Sequence, residues 1–385
     1  MKDWLRPSLL ANHYPVLHGM RVLAILTVLQ YHVTTQLAVV GILKNRAFLI
    51  RSMSIFFGMD LFFIMSGFLI GTILLHAADT GKNRGVWRFY LRRGFRTFPL
   101  YYVVLTALAL LFPMTALQKH NLPYEYAYLT NYRGWQGDRL VMGWGWSLAV
   151  EEHFYLAVPL LLAALLLLRS HASRLSMLGL LWGAGLAVRL GIYYWTPGPW
   201  IWTKLFEKIY IPTHTRFDVL IAGIFLAYVH RHFKEKLDRL AQSRLLCWAV
   251  LLWGLAILGL LMWPNSFRTF YLLRLFSWGT LTSLMFVPWI LALLHTKGPL
   301  VRLLSARVFL WSATFGYGIY LVHIPICERL LVPLASYLQR QHGMTELSLW
   351  PLTLALLFFC SGAVAYVLHL VVEKPALYLR DRLAP

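Results

Sequence analysis

Residues 20–33 read MRVLAILTVLQYHV. An arginine opens an apolar run, a histidine interrupts it eleven residues later, and the run resumes to about residue 41. A helix crosses a bilayer with about 20 mostly apolar residues, so the stretch reads as a membrane span. A titratable group inside it is costly to desolvate, and such groups usually face a bundle interior and mark a pathway or reactive site. A plain hydrogen bond from His32 to a neighbouring helix is the competing reading.

The same signal recurs along the whole chain. A mean hydropathy of +0.61 excludes an ordinary soluble globule. Spans are expected near 21–41, 55–77, 98–112, 146–168, 176–195, 213–230, 246–263, 275–294, 308–335 and 350–371. The fold class is therefore all-α and polytopic, with about ten transmembrane helices and no competing strand signal. The first apolar segment starts too late, and lacks the small-residue cleavage site, for a removable signal peptide. No repeat, linker or soluble appendage is visible, so residues 1–385 read as one membrane domain.

A net charge of +21 would suit a nucleic-acid partner, but its distribution argues against one. With the N-terminus in the cytoplasm, the inner segments hold 22 Lys and Arg and the outer ones 11. That bias follows the positive-inside rule with both termini cytoplasmic. Attraction to anionic lipid is a secondary consequence. Cys247, Cys327 and Cys360 all lie in apolar runs without ligand spacing, so neither a disulfide framework nor a metal site is expected.

Several polar residues remain unexplained by a structural account. Arg21 and His32 are nearly three turns apart, on one helix face and about 16 Å along the axis. Snorkelling at a helix end explains Arg21 alone. GMDLFFIMSGFLIG (58–71) carries Asp60 and Ser66. Asp60 reads either as a helix cap or as a carboxylate orienting a histidine. In KNRGVWRFYLRRGFRTFP (82–99), a helix would converge Arg88, Arg92 and Arg96, with Arg93 and Arg96 at i, i+3. Guanidinium forks match phosphate oxygens, although the same charges could rest on lipid headgroups.

GWGWSLAVEEHFYLAVPLLL (143–162) steps Ser147, Glu151 and Tyr155 by four along one face. Glu151 and Glu152 suit an outer interface, and Glu151 within the bundle suits a sugar hydroxyl or a cation. HTRFDVLIAG (214–223) sets Arg216 and Asp218 at the mouth of the sixth expected span, as a structural ion pair or as substrate ligands. In GYGIYLVHIPI (316–326), His323 either binds substrate or caps a carbonyl freed by Pro325.

Taken in order, Arg-x10-His (21–32), MDLFFIMSGFLIG, RGFR, WSLAVEEHFYL, TRFDVLIAG, GYGIYLVHIP and EKP resemble the membrane-bound acyltransferase family 3. Its members O-acylate envelope sugars, lipids or small natural products. The resemblance covers about residues 16–376 and implies ten or so spans with cytoplasmic termini. It implies an acyl-CoA donor, most often acetyl-CoA, and a carbohydrate or glycolipid acceptor in a bacterial inner membrane. His32 matches the family's essential histidine and Arg21 its partner; Arg93 and Arg96 match an Arg-x-x-Arg pair. Asp60, Ser66 and Glu151 match polar positions of the core motifs. The chain departs at His153, where glutamine is expected. The resemblance is to members without the hydrolase-like domain that some carry, and the expectation is direct transfer or hand-off to a separate periplasmic partner.

The expected chemistry follows. His32 takes the proton of the acceptor hydroxyl or carries the acyl group transiently, with Asp60 or Glu151 fixing its tautomer. Arg92, Arg93 and Arg96 hold the CoA phosphates, with Ser66 nearby. The acceptor meets Ser147, Glu151, Tyr155, Arg216, Asp218 and His323. Two alternatives are a secondary transporter, for which no inverted repeat is visible, and acylation of a macrolide-like small molecule.

Overall fold

The computed structural model describes residues 13–79, 85–134, 139–262 and 267–384. The expected cytoplasmic N-terminal stretch up to residue 12 and the start of the basic segment, Lys82 to Arg84, lie outside them. So do residues 135–138 and 263–266 of the outer segments. Among the described residues no strand occurs. The helices are α1 (Val16–Val39), α2 (Arg46–Ser54), α3 (Gly58–Asp79), α4 (Gly85–Leu111), α5 (Ala116–Tyr126), α6 (Trp146–Leu167), α7 (His171–Trp195), α8 (Trp202–Leu205), α9 (Phe217–His232), α10 (Lys234–Ala241), α11 (Arg244–Met262), α12 (Phe267–Phe276), α13 (Thr282–His295), α14 (Pro299–Leu304), α15 (Arg307–Thr314), α16 (Gly316–Ile326), α17 (Val332–His342), α18 (Glu346–Leu368) and α19 (Lys374–Leu383).

In hydrocarbon each backbone N–H and C=O must be satisfied inside its own segment, which is why the long apolar runs become helices. Among the described residues nine helical stretches are long and apolar enough to cross a membrane. The chain is an integral, multi-pass membrane protein. The difference from ten lies at 213–230. There a 3₁₀ turn occupies Thr213–Thr215, and α9 has only 16 residues. At 1.5 Å per residue that is about 24 Å, short of a hydrocarbon core of about 30 Å.

Three other boundaries differ from the expected spans. The basic segment is not a loop: from Gly85 it forms the opening turns of α4, which runs on through Pro99 to Leu111. The span expected at 275–294 is broken, because Trp278 has an extended ψ of 96° and Gly279 a φ of +104°. Glycine tolerates that left-handed backbone without a Cβ clash. The span expected to begin at 308 begins instead at Gly316, and Pro325 is accommodated by a π-turn at Cys327–Leu331.

The helices sort into two compact units interleaved in sequence. Unit 1 comprises Met1–Met59, Leu91–Val104 and Gly298–Pro385, and unit 2 comprises Asp60–Tyr90 and Leu105–Lys297. In unit 1, α1 packs against α2, α14, α15, α16 and α18. Gly19 lies so close to Leu304 that an added Cβ would sit 2.7 Å from its Cα. A chain of polar contacts fixes α1 further. Gln30 Nε2 donates to the Ser52 carbonyl at 2.9 Å, and Ser52 Oγ donates to Gln30 Oε1 at 2.6 Å. Thr34 Oγ1 lies 2.8 Å from Ser52 Oγ and accepts from Trp350 Nε1 at 2.9 Å.

In unit 2, α3 and α9 cross at glycines. A Cβ on Gly67 would stand 3.0 Å from Gly223 Cα, and one on Gly223 would stand 2.8 Å from Gly67 Cα. Lipid tails are as apolar as leucine, so helix association in a membrane depends on such close approach and on buried polar bonds. Arg189 of α7 supplies the bonds. It is fully buried and donates to the carbonyls of Leu275 and Thr215 and to Thr280 Oγ1, at 2.7–2.9 Å, and pairs with Asp218 at 2.8 Å. One guanidinium thus ties α7 to both sides of the break at Trp278–Gly279 and to the start of α9.

Candidate active site

In unit 1 the sequence-predicted residues fall on three helices. His32 lies half-buried on α1, and its ring centroid is 5.0 Å from that of His323 on α16. His323 is wholly buried, and its Nδ1 lies 2.6 Å from the Tyr320 carbonyl. A carbonyl oxygen only accepts, so Nδ1 carries the proton, and in the neutral ring Nε2 presents the lone pair. The two histidines are therefore in contact across α1 and α16, one turn from a further link in which Gln36 Nε2 donates to Glu328 Oε1 at 2.6 Å. Arg21 shares the His32 face of α1 and is half-buried.

The basic residues Arg92, Arg93 and Arg96 are half-buried on α4. Tyr317 of α16 donates through its hydroxyl to the Thr97 carbonyl at 3.0 Å, which fastens this arginine-bearing turn to the helix of His323. Arg92 turns toward the C-terminal helix: Nη1 donates to the Ala384 carbonyl at 2.6 Å and lies 3.5 Å from Asp381. Unit 1 thus holds both titratable rings and the Arg-x-x-Arg pair.

Unit 2 holds the other candidates. Ser66 on α3 and Tyr155 on α6 are hydrogen-bonded through their hydroxyls at 2.8 Å. Ser147 is buried and Glu151 half-buried on the same face of α6 as Tyr155. Asp60, in the first turn of α3, accepts from Arg216 Nη2, and both side chains are buried. Arg216 and Asp218 therefore do not form the local ion pair that their spacing suggests; each takes a distant partner, Asp60 and Arg189 respectively. His153, where the sequence departs from the expected glutamine, contacts Thr213 Oγ1 at 2.7 Å, and Asn131 Nδ2 donates to the same oxygen at 2.8 Å. Its place is in the seam between α6 and the turn before α9.

Sequence reasoning passed over Arg189, whose signal was present: an arginine deep inside an apolar run is affordable only when several partners surround it. It also passed over Glu125, a buried carboxylate that accepts from the backbone N–H groups of Val141 and Met142 at 2.8 Å. Burial pushes the Glu125 carboxyl up to about 7, against the pull of those two bonds. Among the described residues no group of His, Cys, Asp and Glu has the geometry to hold a metal ion.

Comparison with known proteins shows the family. A family model described as an acyltransferase domain, that of acyltransferase family 3, matches residues 14–370. The chain is 27% identical over 356 residues to the peptidoglycan O-acetyltransferase OatA of Listeria monocytogenes, covering 82% of this chain and 49% of the relative. It is 28% identical over 333 residues to the putative peptidoglycan O-acetyltransferase YrhL of Bacillus subtilis, with 82% and 49% covered. A putative O-acetyltransferase of Staphylococcus aureus is 25% identical over 340 residues, with 82% and 51% covered. The chain spans about half the length of these relatives. No solved structure matches it. The chain belongs to acyltransferase family 3.

Proposed function

We propose that this family member is a membrane O-acetyltransferase, moving an acetyl group from cytoplasmic acetyl-CoA to a hydroxyl of an envelope glycan. Peptidoglycan sugars, named for two of its relatives, lead the acceptor candidates. The observation that carries the reading is the contact of His32 with His323, 5.0 Å between ring centroids, inside the unit that also holds Arg93 and Arg96. Histidine titrates nearest neutral pH and is the usual general base for a hydroxyl. His32 takes the acceptor's proton as its oxygen attacks the thioester carbon. The C–S bond then breaks, and the proton passes to the departing CoA thiolate. His323, with Nδ1 held by Tyr320, keeps the His32 ring in place from the side.

We assign the CoA phosphates to Arg93 and Arg96, whose forks suit bidentate phosphate oxygens. Arg21, about 16 Å along α1 from His32, lies at a suitable reach for the far end of the pantetheine arm. Ser147, Glu151 and Tyr155 are the acceptor's proposed contacts. The two-to-one Lys and Arg bias supports cytoplasmic termini and hence donor entry from the cytoplasm.

The test is CoA release by the purified protein in oriented proteoliposomes, with acetyl-CoA outside and glycan fragments inside. Wild type should release CoA only with a glycan present, and His32→Ala should lose about 10²–10⁴ in rate. Equal release by both proteins would remove His32 from the chemistry. Acetyl label trapped on wild-type protein without acceptor would replace the general-base route with an acyl-histidine one.

A further inference from the structure

Arg216 is the most deeply placed cation of unit 2 that is left partly unsatisfied. Its side chain is 0% exposed, and Nη2 is spent on Asp60. Its Nε and Nη1 have no hydrogen-bond partner, and neither does Asp60 Oδ2 on the other side of the pair. Asp218 Oδ1 and the indole Nε1 of Trp278 are likewise buried without a hydrogen bond. Leaving such groups unmade costs about 1–3 kcal/mol each, and more where charged, so five together point to something that binds there.

These atoms lie around one aromatic wall. The Arg216 guanidinium carbon stands 4.8 Å over the Tyr210 ring. Tyr210 in turn contacts Trp278 at 4.6 Å and Trp146 at 4.9 Å between centroids. Asp218 is seated against the helix break, where a Cβ on Gly279 would come within 2.6 Å of Asp218 Oδ2. The break frees Trp278 from helical geometry and turns it to the same wall.

The charge and the bonding inventory select the ligand class. Two carboxylates repel an anion, and two guanidinium groups repel a cation. The set comprises three open donors (Arg216 Nε, Arg216 Nη1, Trp278 Nε1) and two open acceptors (Asp60 Oδ2, Asp218 Oδ1). A neutral group that both accepts and donates at neighbouring atoms satisfies such a set, as adjacent sugar hydroxyls do. The apolar face of a sugar ring also packs on aromatic side chains. We propose that the Arg216–Asp60–Trp278 box is the subsite that grips a sugar ring of the acceptor through its non-reacting hydroxyls. The inference rests on the acetyl-transfer reading, and adds the place and the residues of acceptor recognition.

The test uses the full chain in detergent and N-acetylglucosamine trimer as the probe. Binding is measured by calorimetry, and acetyl transfer by CoA release, for wild type, Arg216→Lys and Trp278→Phe. Trp278→Phe keeps an aromatic ring at the wall but removes the fused pyrrole ring with its N–H, so thermal unfolding is recorded beside binding for each variant, and Arg216→Lys tests the box without opening a cavity at the wall. We expect at least tenfold weaker trimer binding and a tenfold higher KM for the trimer in both variants, with the KM for acetyl-CoA unmoved. Trimer binding that is equal in wild type and both variants overturns the subsite, and so does a wild type that binds no trimer: the open atoms then hold ordered water only. Wild type that binds the trimer at this box yet releases no CoA with any acceptor overturns the acetyl-transfer reading and leaves a sugar-binding membrane protein.

Discussion

Replacing Gly67 with alanine tests the crossing on which α3 and α9 hold Asp60 against Arg216. The added methyl would lie 2.2 Å from the Leu220 carbonyl oxygen, 3.0 Å from Gly223 Cα and 3.1 Å from the Leu220 carbonyl carbon, all backbone atoms that no side-chain rotation can move aside. Carbon pairs prefer about 3.5–4.0 Å, so the helices must separate by roughly 0.5–1 Å. A helix crossing of about twenty atom pairs, at roughly 0.1–0.2 kcal/mol each, is worth about 2–4 kcal/mol, and that gap forfeits a quarter to a half of it. Strain from overpacking adds about 1–3 kcal/mol. Gly67→Ala should therefore cost about 2–4 kcal/mol. Gly223→Ala should cost a similar amount, and the double variant clearly less than the sum, because one separation relieves both clashes. Gly179→Ala on α7, with no atom within 4 Å of its added methyl, is the control and should stabilise by up to about 1 kcal/mol. The assay is equilibrium unfolding in mixed detergent micelles followed by tryptophan fluorescence. A loss below about 0.5 kcal/mol for Gly67→Ala, or full additivity in the double variant, would refute the reasoning.

Other outcomes follow from the same geometry. Arg189→Met should destabilise by about 3–5 kcal/mol, because Asp218 is left buried and unpaired, and the added change Asp218→Asn should recover part of the loss; no recovery would show that the carbonyl bonds matter more than the charge. Glu125 has a folded pKa of about 7, above its ordinary 4.5, so the folded state holds the proton longer and stability falls as pH rises through that window. The slope integrates to about 3 kcal/mol at 1.36 kcal/mol per unit, and unfolding compared at pH 4.5 and pH 8 should lose it in Glu125→Gln. The same substitution should also weaken the fold at pH 5 by about 1–3 kcal/mol, since its amide N–H₂ would face a backbone donor. His32→Gln should keep the wild-type unfolding midpoint while removing glycan-dependent CoA release; a large shift in midpoint would make His32 a packing residue.

The spans were legible because a bilayer leaves an apolar run few options, and His32 stood out because nothing in a lipid-facing helix accounts for it. What the sequence concealed is tertiary. Asp60 and Arg216 are separated by 156 residues, and only their burial together reveals the pair. The i, i+2 spacing of Arg216 and Asp218 suggested a local bond, but Arg216 lies in the turn before α9 and reaches Asp60, while Asp218 in the first turn of α9 reaches Arg189. The break at Trp278–Gly279 lies in an uninterrupted apolar run, where a lone glycine reads as helix. It is imposed from outside, by Arg189 taking the Leu275 carbonyl and Asp218 occupying the space of a Cβ. The arginine row at 88–96 was readable as one face, but its fusion with the following span was obscured by Pro99.

The interleaving of the two units sets a timetable for biosynthesis. Unit 2 closes with Lys297, whereas unit 1 needs α1 to wait for α14 to α18 before its contacts exist. At about 5–20 residues per second, the ribosome takes tens of seconds to travel from His32 to His323. Through that interval the first span sits in the membrane with its titratable residue unmatched, while unit 2 can mature. The His32–His323 contact thus does not exist until nearly the last helices arrive. A stalled or prematurely released product would contain a folded unit 2 and no histidine pair. Pulse-labelled chains halted after Lys297 should resist protease in the connections from α5 to α13, while the connection between α1 and α2 is cleaved.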